Sequence, residues 1–381
     1  MDARTARLDA AIDRALAERR IVGTVVVVAQ GGAIVYERAA GFADREARSP
    51  VRMDTLFRLA SLTKPIVSAA ALALVDRGVL ALDDLVARRL PAFAPHAIDG
   101  SAPPITLRHL LTHTAGLRYG FLQPPGSAYE RAGISDGLDQ PALPLDENLR
   151  RIASVPLQRQ PGTRWEYSLA TDVLGALLAA TAGASLPDVV ETFVTGPLEL
   201  RDTAFAVRDV ARLAVPYADD FPEPRRMREP DAVPFVTGGG MLRFSPARAF
   251  APGAYPSGGT GMVGSARDLV RFFEAIRTDG APILTPERAR AMTSNQIGDL
   301  AVDLSGPGFG FGFGAAIVLD PAAARTPLSR GAFRWGGVYG NHWFVDPARQ
   351  RTLVSLSNTS VEGMAGRFAL DVRDAACMER N

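Results

Sequence analysis

Apolar residues recur every four positions at Leu8, Ile12 and Leu16 with charges between them, so residues 6–19 read as an amphipathic helix. The period then changes. Residues 24–30 form a valine-rich run, Gly31-Gly32 follows, and residues 33–37 resume it, which predicts a β-hairpin. Residues 55–59 read as a short strand leading into a helix over 66–76. That helix is apolar nearly all round, so it should be buried, and Gly78 should end it. Residues 80–250 are proline-rich helix and loop. Within them 170–181 is a second apolar helix, and 216–257 is a long irregular stretch suited to a pocket rim. Strand patterns return at 310–319, 332–335, 341–345 and 352–358, and 364–376 reads as a closing helix.

The pattern predicts an α+β chain. One antiparallel sheet is built from both chain ends and flanked by helices, with a mainly helical domain inserted. On this reading residues 1–60 and 255–381 form a discontinuous sheet domain and 61–254 the helical one. A site is expected where they join.

Composition narrows the chemistry. Of 381 residues, 47% are apolar and 22% charged, as in ordinary globular proteins. Basic and acidic residues number 42 and 41, so nothing steers the chain toward nucleic acid or a membrane. The single cysteine, Cys377, excludes an internal disulfide and fits a reducing, cytoplasmic setting. Residues 1–20 carry charge throughout, so no signal peptide is expected, and no run is long enough to span a membrane. One Cys and four His give little support to metal or redox chemistry.

Three segments carry candidate chemistry. Ser61 and Lys64 are three apart, and Pro65 must lie in a helix's first turn, so both belong to that turn. A hydroxyl beside an amine at the positive end of a helix is a plausible activated nucleophile. The plain alternative is an N-cap serine with a solvated lysine. Tyr167 precedes the second apolar helix and suits proton transfer, or is a buried aromatic with one hydrogen bond. Trp335-Gly336-Gly337-Val338 places two glycines in a strand, which suits close approach of a ligand or backbone, or a bulge.

Other signals compete less well. Gly133-Ile134-Ser135-Asp136-Gly137 has the spacing of a nucleophile elbow but lacks the strand and helix it needs, so Ser135 reads as a surface-loop residue. His109 and His113 are four apart without the glutamate of a zinc motif, so they read as structural. His342, near the last edge strand, either lines the pocket or is an ordinary strand residue. Tyr119, Phe121, Tyr129 and Tyr255 could supply an apolar wall.

In this order, the three segments resemble the serine β-lactamase and penicillin-binding-protein superfamily. Within it the chain is most similar to class C β-lactamase-like (family VIII) carboxylesterases of the bacterial esterase B type. Phe57-Arg58-Leu59-Ala60, residues 109–117, Pro161-Gly162 and residues 335–345 share the pattern, over about residues 5 to 375. The resemblance implies Ser61 as nucleophile and Lys64 with Tyr167 as its activating pair. It implies an oxyanion hole from the backbone N–H groups of Ser61 and Val338. Trp335, Gly336, Gly337, His342 and Tyr119 are the expected substrate-binding residues, the substrate a small ester, and no cofactor or metal is implied. Two departures stand out. Leu169 occupies the position of an asparagine, and Trp335-Gly336-Gly337 that of Lys-Thr-Gly. Both turn the expectation from penicillins toward neutral esters, with β-lactamase, D-alanyl-peptidase or acyltransferase activity as the alternative.

Overall fold

The computed structural model describes residues 3–235 and 239–378. Residues 236–238 of the expected irregular stretch, and the ends of the expected sheet domain, lie outside the described residues. Helix α1 (Ala3–Ala17) leads into strands β1 (Gly23–Gln30), β2 (Ala33–Asp44) and β3 (Ser49–Pro50). Gly31 and Gly32 turn the hairpin with φ of 60° and 88°, the left-handed pair that a two-residue turn requires. Five further strands come from the other end: β4 (Phe309–Phe311), β5 (Ala316–Val318), β6 (Phe333–Gly337), β7 (Asn341–Asp346) and β8 (Arg351–Ser357). The sheet order is β4-β5-β6-β7-β8-β1-β2-β3, with every neighbouring pair antiparallel. The last strand thus pairs with the first, Thr24 opposite Ser357.

Between the strand groups run α2 (Thr63–Asp76), α3 (Ala170–Ala182) and α4 (Ala266–Arg277); α5 (Ser360–Ala365) and α6 (Arg367–Cys377) close the chain. Helices α1, α5 and α6 cover one face of the sheet, and α4 packs on β1 and β8 from the other. Cover on both faces explains why Val25 to Val28 are all fully buried instead of alternating. Each such burial contributes about 1.5–3 kcal/mol. Helices α2 and α3 pack together, and α2 is buried from Thr63 to Leu74. Gly78, at φ 68°, sits just beyond its end. No single helix among the described residues is long and apolar enough to cross a membrane.

Several elements differ from the pattern. The expected strand 310–319 is two strands, because Gly314 (φ 105°) turns the chain where a Cβ would lie 3.3 Å from Pro65 Cα. The closing helix breaks at Gly366 into α5 and α6. The strand before Ser61 is only Phe57–Arg58, paired with Val263–Gly264 outside the main sheet. The irregular stretch holds two hairpins, Tyr217–Ala218 with Arg225–Arg226 and Asp231–Pro234 with Met241–Phe244. Prolines at their turns and edges had masked the strand signal.

Candidate active site

Ser61 is delivered by a 3₁₀ turn, Ala60–Leu62, that runs directly into α2. Residues three apart along a helical path lie on one face, so Lys64 stands beside Ser61. Lys64 Nζ donates to Ser61 Oγ at 3.1 Å and to the Gly259 carbonyl at 2.9 Å. Pro65 is the third residue of α2, where a missing N–H costs no helical bond. Ala60 is a non-glycine residue at φ 46°, a conformation that costs about 1–3 kcal/mol unless its surroundings impose it. They do: Leu59 N–H donates to Met262 O at 2.9 Å, and Asn341 Nδ2 donates to Arg58 O at 2.8 Å and Leu59 O at 3.2 Å.

Tyr167 Oη lies 2.6 Å from Ser61 Oγ and accepts the Trp335 indole N–H at 3.1 Å. Its ring is enclosed by His113, Tyr119 and Trp335, with centroids 5.0, 5.0 and 5.1 Å away. Lys64 Nζ sits 4.7 Å from the Tyr167 ring centre and 5.1 Å from that of Tyr119, favourable for a cation over π faces. Residues 109–117 hold this segment in place. Glu166 N–H donates to His113 O, Gly162 N–H donates to Thr114 O, and the His113 ring meets the Ser168 hydroxyl at 3.2 Å. Burial, with the nearby Lys64 charge, keeps the His113 pKa well below the usual imidazole value. His109 Nδ1 accepts the Thr106 N–H and caps the helix Leu107–Leu111, so both histidines have structural work.

Behind the lysine lies Gly259. A methyl there would meet Asp172 Oδ2 at 2.7 Å and Tyr119 Oη at 2.8 Å. Asp172, in the first turn of α3, is buried. Burial raises its carboxyl pKa, and Ser257 and the Lys64 charge pull it back. Gly259 and Asp172 escaped sequence reasoning, and Ala60 and Asn341 entered it only within the segments that share the family pattern, without a role. Only the Gly258-Gly259 pair left a signal there, a run too small to pack unless backbone comes close.

Strand β6 brings the third segment. Gly337 faces the Ser61 turn, where a Cβ would lie 2.4 Å from Leu59 O. That close approach is what the glycine permits. Val338 follows, and neither its N–H nor that of Ser61 has a partner among the described residues. The Val338 carbonyl accepts the Ser360 hydroxyl at 2.6 Å, which fixes the next peptide. Gly337→Ala should push Leu59 and the Ser61 turn apart and lower kcat/KM about 100-fold, as small misplacements do. Rates and far-UV circular dichroism of the variant check this; wild-type turnover would show that the contact does not shape the site.

The five expected substrate-binding residues divide. Trp335 is half-buried beside Tyr167. Tyr119 is buried behind Lys64, stacked on Phe121 at 4.8 Å, and Gly337 is taken up by the Leu59 contact. Gly336 and His342 point the other way. They pair across β6 and β7, one residue out of phase with the Trp335–Trp343 pair, and a Cβ on Gly336 would meet Met364 of α5. His342 is therefore a covered strand residue and lines no substrate pocket. Of the other aromatics proposed for the wall, Tyr129 accepts Arg118 N–H and Tyr255 accepts Asn148 Nδ2, both internal ties.

Burial, with Arg334 and Arg373 nearby, holds the His342 pKa down at about 3. A folded-state value below the unfolded one means stability present above about 6.5 and lost as pH falls toward 3. The loss is about 1.4 kcal/mol per pH unit below 6. Denaturant midpoints from pH 7 to 4 should fall less steeply for His342→Gln than for the wild type; parallel curves would contradict this.

Ser135 is not on the surface. It is fully buried, its hydroxyl donates to Asp139, and its N–H donates to Asn148 Oδ1 at 2.9 Å. Helix Leu145–Ser154 covers the turn through Asn148, a cover that the polar residues before Ser135 did not suggest. The hydroxyl is spent on holding a turn.

A large antiparallel sheet from both chain ends, with a buried Ser/Lys/Tyr cluster at the head of α2, defines the β-lactamase/transpeptidase-like fold. The chain belongs to the β-lactamase family, whose model matches residues 8–377. It is 53% identical over 372 residues to Esterase EstB of Burkholderia gladioli, covering 97% of this chain and 94% of that one. A solved structure, "EstCE1, a hydrolase with promiscuous acyltransferase activity", matches with a TM-score of 0.96 at 44% identity, over 99% of each chain. A class C β-lactamase from Rhodobacter sphaeroides, at 20% identity and TM-score 0.69, covers 97% of this chain and 98% of that one and shares the fold.

Proposed function

We propose that this protein is a serine carboxylesterase that hydrolyses short-chain carboxylic esters through an acyl-enzyme on Ser61. One observation carries the reading: Ser61 Oγ is met at once by Lys64 Nζ and Tyr167 Oη. Tyr167, in its phenolate form, takes the Ser61 proton as Oγ attacks the ester carbonyl carbon. The carbonyl π electrons move to oxygen, where the free N–H groups of Ser61 and Val338 bind it; one such donor is worth about 100- to 1000-fold in rate. As the tetrahedral intermediate collapses, the alkoxide leaves and takes the proton back from Tyr167. Water then repeats the sequence on the acyl group, releasing the acid and restoring Ser61. The Lys64 charge and the Trp335 N–H stabilise the negative phenolate oxygen of Tyr167, before it takes the proton and again once it has given it up.

The likeness to Esterase EstB supports an ester as substrate. Leu169 and Trp335, where the resemblance leads one to expect an asparagine and a lysine, remove polar partners a penicillin would use. No metal or cofactor enters this reaction. A cytoplasmic setting fits Cys377, whose buried thiol is pushed up to about 11 and so resists oxidation. We further divide the chain into a sheet domain, 1–60 with 255–381, and a helical domain, 61–254, with Ser61 at their junction. Turnover of p-nitrophenyl butyrate well above that of nitrocefin is the expected result. Comparable nitrocefin hydrolysis would replace the ester reading with a β-lactamase one.

A further inference from the structure

A groove of about 680 Å³ lies to one side of the Ser61 cluster, and none of Ser61, Lys64, Tyr167 or Trp335 lines it. That volume suits a small ligand. Its lining includes Arg58, which is only 8% exposed. A buried guanidinium ordinarily has a carboxylate partner, because an unpaired buried charge is costly. Arg58 has none among the described residues. Two of its five N–H groups donate to carbonyls, Ala214 O at 2.9 Å and Pro246 O at 2.8 Å, and Nε–H has no partner. The Phe250 and Tyr339 rings flank it at 5.6 and 5.8 Å. Glu229 is within electrostatic reach, but its Oε2 accepts the Ala247 N–H at 2.6 Å.

A second group in the lining is also unsatisfied. Ser245 is 2% exposed and its hydroxyl has no partner. Arg248, also lining the groove, donates to the Asp139, Gln140 and Tyr255 carbonyls and makes no ion pair among the described residues. Much of the remaining wall is apolar, including Val190, Val207, Met262 and Val263. Donors and positive charge at one place, with apolar surface around them, match one anionic head on an apolar body.

We propose that this groove binds an amphipathic monocarboxylate, with its carboxylate on Arg58 and Ser245 and its apolar chain along the wall. Residues 260–263 line the groove, and the adjoining Gly259 carbonyl accepts Lys64. The occupant would therefore press on the segment that holds the lysine.

Calorimetric titration of the full chain with octanoate, and with octanol as the uncharged match, tests the proposal without reference to ester turnover. Octanoate should bind one per chain, and octanol about tenfold or more weakly, the usual loss with a charged hydrogen bond. Ala249→Trp, at a half-buried wall position next to Phe250 that makes no hydrogen bond to Arg58, should abolish binding. Ser245→Val should weaken it, and Arg58→Gln should weaken it about tenfold or more. If Arg58→Gln does not fold, the other two variants carry the test. Absence of octanoate binding, equal binding of octanol, or full binding by Ala249→Trp would each overturn the proposal. The last outcome would put the ligand at Ser61 instead.

Discussion

Ser61→Ala is expected to lose hydrolysis of p-nitrophenyl butyrate by about 10⁴-fold or more, the scale on which removing a nucleophile acts. The fold should survive the change. Without Oγ, Lys64 still donates to Gly259 O and Tyr167 still accepts from Trp335 Nε1. Each partner of the lost hydroxyl keeps one bond, so the melting temperature should stay near that of the wild type. Ser135→Ala should do the reverse. It keeps the rate and loses about 1–3 kcal/mol of stability, because Asp139 is left without its buried hydroxyl donor. Initial rates and thermal melts of the two variants separate these outcomes. A Ser61→Ala protein within tenfold of wild type, or an inactive but folded Ser135→Ala, would reverse the assignment.

Tyr167→Phe is expected to lower kcat by about 10²- to 10⁴-fold, the range for a positioned proton-transfer group. The ring stays, so its packing against His113, Tyr119 and Trp335 stays with it. KM should change little, since the phenol oxygen acts in the transition state. Lys64→Ala should fall in the same range, and the double variant should lose far less than the product of the two, because the groups act as one unit. A multiplicative loss would mean that lysine and tyrosine act independently on Ser61.

The chemistry of this site was more legible in the sequence than its walls. Ser61 and Lys64 are three residues apart, and Pro65 restricts that stretch to the start of a helix. Local geometry then brings the two side chains together before any tertiary contact is known. The paired glycines of β6 likewise announced a close approach, and the Leu59 carbonyl is what approaches. Asn341 and Gly259 were not legible, because each serves the site through a contact more than 190 residues away in sequence.

His342 illustrates the remaining gap. Beside Trp343 it looked ready to line a pocket, but neighbouring strand residues point to opposite faces, and only the pairing register decides which. Opposite Gly336 it falls under α5. Ser135 failed for a similar reason: exposure there depends on a helix ten residues further on. The halves of the sheet, by contrast, could be joined from pattern, since strand patterns stand at both chain ends with helix and loop between them.

The most direct measurement is peptide mapping by mass spectrometry after incubation with a fluorophosphonate. Trypsin places Ser61 in the peptide 59–77 and Ser135 in the peptide 132–150, and fragment ions separate Ser61 from Ser68. One adduct per chain on Ser61, lost in Ser61→Ala and slowed in Tyr167→Phe, is the predicted result. An adduct on Ser135, or no adduct on a folded and ester-cleaving protein, would contradict the account.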